Sequence, residues 1–339
     1  MQLHARLAEY PLEEVAARAA QVEAMGGRGA WVAEVNHDPF LLTALAAGAT
    51  RAVRLGNNVA ISFARSPFAT ALAAWDLQRL SGGRYSLGLG TSNRPHVEGR
   101  YSTDFERPVA RIVDYVRCIR AIWRTFQEDA PPAYEGEFYR FTVMEPFFNP
   151  GPLAQPEIPI FLAAATPMGC RAAGTVGDGL HVAPMHSAAY LREVLRPNLD
   201  TGARRQGRTA ADLGIGIAVI TATGETQAEM DAAVEGARRT VAFYGSLTPY
   251  RDMLEFHGHG DLGPRLTELA ARGDVAGMAA CITDEMLEHF ALVTEPADLA
   301  RRLRERYGDI ATFVSLRLPS VDMDRRTLTP ALIAAVEGG

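Results

Sequence analysis

Apolar and polar positions alternate along this chain in a repeating way: a short, almost wholly apolar run, then a longer run that is apolar on one face only. The short runs are Leu3–Leu7, Ala30–Ala33, Val53–Ile61, Tyr85–Leu89, Ile160–Ala165, Gly179–Ala183, Ile215–Ile220 and Thr312–Leu318. Their length is that of strands, and their near-continuous apolarity is that of parallel strands covered on both faces. The longer runs carry the helical period. Leu12–Met25 puts Leu12, Val15, Ala16, Ala19 and Val22 on one side and stops at Gly26-Gly27; Arg107–Phe126 does the same with Val109, Ile112, Val113, Val116, Ile119 and Trp123. Asp38-Pro39, Ser66-Pro67, Thr166-Pro167 and Thr329-Pro330 each pair a capping side chain with a proline that needs no N–H partner, and Ser187 is a further cap.

Eight strand–helix units predict a closed (β/α)8 TIM barrel rather than an open sheet, which more often has five to seven strands. About 250 residues make such a barrel. The excess falls in two insertions: residues 131–159, proline-rich with a hairpin at Tyr134–Tyr139, and residues 225–290, which read as helices. The expected organisation is one domain, residues 1–339.

Composition narrows the function. A net charge of -6 argues against a nucleic-acid partner. No apolar run nears the roughly 20 residues that span a bilayer, and the opening residues lack a signal-peptide core, so a cytoplasmic protein without a membrane partner is expected. Cys118, Cys170 and Cys281 are too far apart for a CxxC metal site, and no metal is expected. All 34 basic residues are arginine, which excludes a Schiff-base lysine and the lysine of phosphate-cradling loops.

In a barrel of this kind the chemistry sits at the carboxyl ends of the strands. Those ends carry Glu34, Asn36 and His37; Asn57, Asn58 and Val59; Gly90, Thr91, Ser92 and Asn93; Ala163, Ala164, Ala165 and Thr166; and His181, Met185 and His186. There is no GxSxG or HExxH, and the GxG at Gly88–Gly90 does not extend to a dinucleotide fingerprint. Small residues, amides and hydroxyls suit a rim that holds a flat cofactor by its backbone and leaves the chemistry to it. The Thr166-capped helix is a candidate phosphate site. His37 and Glu34, just past the second strand, are the candidates for proton handling, and His181 and His186 for a substrate pocket.

Two stretches, RLGNNVAISFARSPFATALAAWDLQRLSGGRYSLGLGTS (Arg54–Ser92) and PIFLAAATPMGCRAAGTVGDGLHVAP (Pro159–Pro184), resemble the luciferase-like monooxygenase superfamily, particularly its branch using the deazaflavin coenzyme F420. The resemblance implies a (β/α)8 barrel, a homodimer, and a ring lying across the barrel mouth. It implies a non-prolyl cis peptide at Asn58–Val59 behind that ring, and a ribityl phosphate near Gly90–Ser92 and Ala164–Thr166. One branch has an Asp-His pair after its second strand; here Glu34-Val35 stands instead, with His37 two residues on. The reading that follows is an oxidoreductase moving a hydride between F420 and a small organic substrate. An FMN-dependent monooxygenase is the alternative, and a flavin-binding barrel without turnover the second.

Overall fold

The computed structural model describes residues 1–338; Gly339, the last residue of the expected domain, lies outside them. Eight parallel strands form the barrel. The first is broken into Gln2–Leu3 and Ala5–Arg6, followed by Gly29–Val32, Arg54–Asn57, Tyr85–Gly90, Ile160–Ala164, Gly179–Val182, Gly214–Ala222 and Phe313–Arg317. Neighbours in this order pair in parallel register. Closure comes from the first strand, whose Gln2–Leu3 half pairs with the eighth strand and whose Ala5–Arg6 half pairs with the second.

The cap-and-proline signals all mark helix starts. Asp38 accepts from the backbone N–H groups of Phe40 and Leu41, Ser66 from Ala69, Thr166 from Gly169 and Thr329 from Leu332. These open helices Pro39–Ala49, Pro67–Ser81, Pro167–Val176 and Pro330–Glu337. The predicted hairpin is present as Tyr134–Glu135 against Arg140–Phe141, and residues 225–290 hold Gln227–Gly245 and four shorter helices. A short helix at Arg94–Gly99 opens on Asn93, which accepts from His96 N, with Pro95 in its first turn, a cap that the sequence reading did not take up; the π-helical turn at Leu191–Leu195 carries no sequence signal. No described helix is long and apolar enough to cross a membrane.

Rings from five strands meet inside the barrel, which only a closed sheet allows. His4 and Trp31 each stack on Phe313, with ring centroids 4.4 and 5.0 Å apart, and the edge of His181 meets Trp31 at 4.8 Å. Phe161 lies 5.0 Å from His181. Glycines opposite make the room: a Cβ at Gly56 would lie 2.2 Å from Trp31, and one at Gly216 2.2 Å from Phe313. Trp31 Nε1 donates to His4 Nδ1 at 2.8 Å, so the His4 proton sits on Nε2, which bonds Gln2 Oε1 at 2.9 Å. Burial, helped by Arg54, holds the His4 pKa down at about 3, so the plug is neutral.

Candidate active site

The mouth is shaped first by a break in the third strand. After Asn57 the chain leaves the ladder, passes through a cis Asn58–Val59 bond, and rejoins the fourth strand as Ala60–Ile61. Asn58 N bonds Val32 O at 2.7 Å and Glu34 N bonds Val59 O at 3.1 Å, so the bulge is sewn to the end of the second strand. A Cβ on Gly90 would meet Val59 Cγ2 at 2.6 Å and Ala163 Cβ at 3.7 Å. Val59, Gly90 and Ala163 therefore converge on one small, apolar patch.

Strand alternation decides which neighbours face it. Asn57 faces outward: its amide donates to Pro39 O and Thr43 Oγ1, each at 3.3 Å, and its carbonyl accepts from Tyr85 OH. Ala164 also faces outward, where a Cβ on Gly169 would meet it at 2.9 Å and Thr166 Oγ1 at 3.3 Å. That close approach brings the N-terminus of helix Pro167–Val176 against the end of the fifth strand, with Ala165 in the link. On the fourth strand's exit, Thr91 Oγ1 bonds Ser92 O, and Ser92 has a left-handed φ of 56°. Two backbone-lined corners thus flank the patch, one at Gly90–Ser92 and one at Ala164–Thr166.

Glu34 is an anchor of this rim. Its side chain is 6% exposed, and Oε2 accepts from Ile61 N and Arg65 Nη1, both at 2.8 Å, while Oε1 accepts from Tyr101 OH at 3.1 Å. Arg65 bonds Asp38 at 2.6 Å as well. Burial works against the Arg65 charge, yet Glu34 and Asp38 outweigh it and raise its pKa. Burial and the Glu34 charge together push the Tyr101 phenol up. His37 is half-buried beside this network, and its ring has no hydrogen-bond partner among the described residues.

The two other histidines do not converge. His181 belongs to the ring plug, fully buried, with neither ring nitrogen hydrogen-bonded among the described residues. Burial, resisted by the nearby Asn57 carbonyl and assisted by His4, keeps its pKa at about 3. His186 is packed away from the barrel axis, with Nδ1 3.1 Å from the carbonyls of Ala183 and Pro184 and Nε2 3.1 Å from Tyr307 OH. Burial lowers its pKa to about 4.

The sequence reading missed the charged side of the mouth. At the ends of the first and eighth strands stand Arg6, which pairs with Glu9, and Arg317, whose charge acts on the same carboxylate from farther away. Burial opposes its ionisation, but Arg6, 2.6 Å away, and Arg317 hold its pKa below the usual range. Arg317 also lies over the Tyr244 ring of the long helix Gln227–Gly245, at 5.7 Å. Counting inward positions from Phe313 at intervals of two would have found Arg317.

A family model described as luciferase-like monooxygenase matches residues 2–312. An uncharacterized protein of Mycobacterium tuberculosis is 42% identical over 295 residues, 87% of each chain. A 5,10-methylenetetrahydromethanopterin reductase of Archaeoglobus fulgidus is 29% identical over 275 residues, 80% of this chain and 78% of that one. Among solved structures, the coenzyme F420 dependent tetrahydromethanopterin reductase from Methanopyrus kandleri superposes with a TM-score of 0.78 at 19% identity, covering 98% of this chain and 97% of that one. A monooxygenase from Streptomyces bottropensis gives 0.68 at 19% identity, over 99% and 98%.

Proposed function

The chain belongs to the luciferase-like monooxygenase family, and on that footing we propose that it is an F420-dependent oxidoreductase acting on a small organic substrate. The observation that carries the reading is the converging patch of Val59, Gly90 and Ala163. It offers a flat ring a surface without a competing nucleophile. The fit extends to the corners: the close packing of Gly169 on Ala164 leaves a capped helix end beside the strand, where the dipole and free N–H groups favour a phosphate. Asn58 and Val59 would back the ring, with Gly90, Thr91, Ser92, Ala164, Ala165 and Thr166 toward its phosphate-bearing tail. Asn57 would serve by fixing the strand from behind. When bound, a deazaflavin supplies two-electron hydride chemistry and reacts poorly with oxygen.

The chain's own residues bind, orient and exclude water. Glu34 holds Ile61, Arg65 and Tyr101 in one arrangement, so the bulge and the loop after the fourth strand are fixed together. His37, at the same rim with its ring uncommitted, is the residue we assign to proton handling, with Glu34 positioning the segment around it. His181 closes the floor beneath, and His186 fixes the loop after the sixth strand. We further propose a homodimer through helices Pro39–Ala49 and Pro67–Ser81. Leu41 is 62% exposed, and Leu45 and Leu80 are also open, while Ala71 and Ala74 are buried. Outward apolar rows on two adjacent helices suit a two-fold contact.

The FMN-dependent monooxygenase reading draws on the same backbone-lined rim, which does not discriminate at the ring's central position, and on the Streptomyces likeness in fold. Titration of the purified protein with F420 and with FMN separately, followed by absorbance and fluorescence, decides between them. Micromolar binding of F420 is expected; binding of FMN with none of F420 would replace the proposal by the monooxygenase. Stoichiometric binding with no turnover by any electron donor would favour the non-catalytic barrel.

A further inference from the structure

At the amino-terminal end of the strands, remote from the mouth, a cleft of about 330 Å³ lies between helix Pro108–Glu128 and the segment after helix Arg196–Arg204. Arg117, Arg120 and Arg208 line it, with Asp178, Thr175 and Gln206. Two of the three guanidinium groups are fixed in place. Arg120 donates to Val176 O at 3.1 Å and to Asp178 Oδ2 at 2.8 Å; Arg208 donates to Gly174 O at 3.2 Å and Gly177 O at 2.8 Å. Those carbonyls belong to the C-terminal end of helix Pro167–Val176, a place that favours cations.

The cleft is left with positive charge in excess. Asp178 is its one carboxylate, and its oxygens also serve Ile160 N at 2.9 Å, Arg120 at 2.8 Å and, at 3.6 Å, Arg208. Three guanidinium charges against one carboxylate and about half a charge from the helix end leave roughly +1.5. This stands within a chain of net charge -6. Arg117 has no ion pair or hydrogen bond among the described residues, nor has the Gln206 side chain, and Arg208 Nη1 comes no nearer than 3.6 Å to its one charged neighbour, Asp178. Unused donors of this kind, two of them on planar forks, match the oxygens of a phosphoryl group.

We propose that this cleft is a second ligand site, separate from the barrel mouth, which binds a phosphomonoester of a small molecule. The volume exceeds what a bare phosphate fills, and the arginines sit where the phosphoryl oxygens would find donors on several sides. The site does not depend on the identity of the cofactor.

The test is calorimetric titration of the full-length protein with glycerol 3-phosphate and with inorganic phosphate, each repeated at saturating F420 or FMN, whichever binds. With the cofactor saturating, and the phosphate corner of the mouth thereby filled, one saturable site is expected, tighter for the ester. Arg117→Glu should weaken it at least about tenfold, the loss expected for one charge-assisted contact, and leave the melting temperature unmoved. Gln206→Ala, on an exposed loop, should weaken it less. Absence of saturable binding, binding abolished by the cofactor, or wild-type affinity in Arg117→Glu would each overturn the site. An ester that binds no tighter than phosphate would overturn the ligand class.

Discussion

Replacing Glu34 by glutamine separates an anchor from a proton carrier. The amide oxygen can still accept from Ile61 N and Arg65, which share Oε2, but it carries no charge toward Arg65, and the NH2 group stands where Oε1 accepted from Tyr101. The loss is one charge-assisted hydrogen bond, about 1.5–3 kcal/mol, partly offset because Arg65 keeps Asp38. We take about 2 kcal/mol. With an unfolding entropy of about 2.1 cal/mol/K per residue, a chain of 339 residues has about 0.7 kcal/mol/K, so the melting temperature should fall by about 3 °C. Scanning calorimetry reads this directly. Because the Tyr101 contact ties the loop after the fourth strand to the bulge, cofactor affinity should fall about tenfold in the same variant, measured by fluorescence titration. Turnover should drop while the shape of its pH profile stays as in the wild type. A melting temperature within about 1 °C and an unchanged affinity would refute the anchor. A lost limb of the pH profile would make Glu34 a proton donor or acceptor instead.

Gly90→Ala should weaken cofactor binding by about tenfold or more with the circular dichroism spectrum unchanged, since overpacking against Val59 costs about 1–3 kcal/mol; undiminished binding would move the ring elsewhere. His37→Asn should lower turnover by about 10²–10⁴, and a rate within about twofold of wild type would end its assignment. Acid should unfold the protein steeply. His4, His181 and His186 have folded pKa values of about 3, 3 and 4 against an ordinary 6.5, so the unfolded chain binds more protons below pH 6.5. Stability is then full above that pH and falls as pH drops toward 4, by up to about 1.4 kcal/mol per pH unit for each histidine; urea midpoints that stay flat from pH 6.5 to about 4.5 would contradict this. Leu41→Asp should convert the dimer to monomer by light scattering, and a wild type already monomeric at micromolar concentration would remove the proposal.

The eight strands and the capped helices were legible because each signal is local: an apolar run, a hydroxyl or carboxylate, then proline. The facing of individual residues was not. Asn57 and Ala164 sit one position away from inward-facing Gly56 and Ala163, and a shift of one residue reverses the side of the sheet. His186 reads as a free histidine until Tyr307, 121 residues later, is seen to bond it. Glu34 likewise gains its anchoring role from Arg65 and Tyr101, beyond any local pattern. Arg6 and Arg317 lie on strands at opposite ends of the chain that only closure of the barrel makes adjacent.

The ring plug of His4, Trp31, Phe161, His181 and Phe313 makes the barrel a cup rather than a tube. A ligand seated on Val59 and Gly90, as proposed, would have that plug behind it and would be approached from the front. Whatever reacts on its outer face would then arrive after it and depart before it. On the proposed seating, the steady-state pattern expected is sequential and ordered, the deeper ligand first on and last off, so that its own product inhibits it competitively and the product of the outer ligand does not.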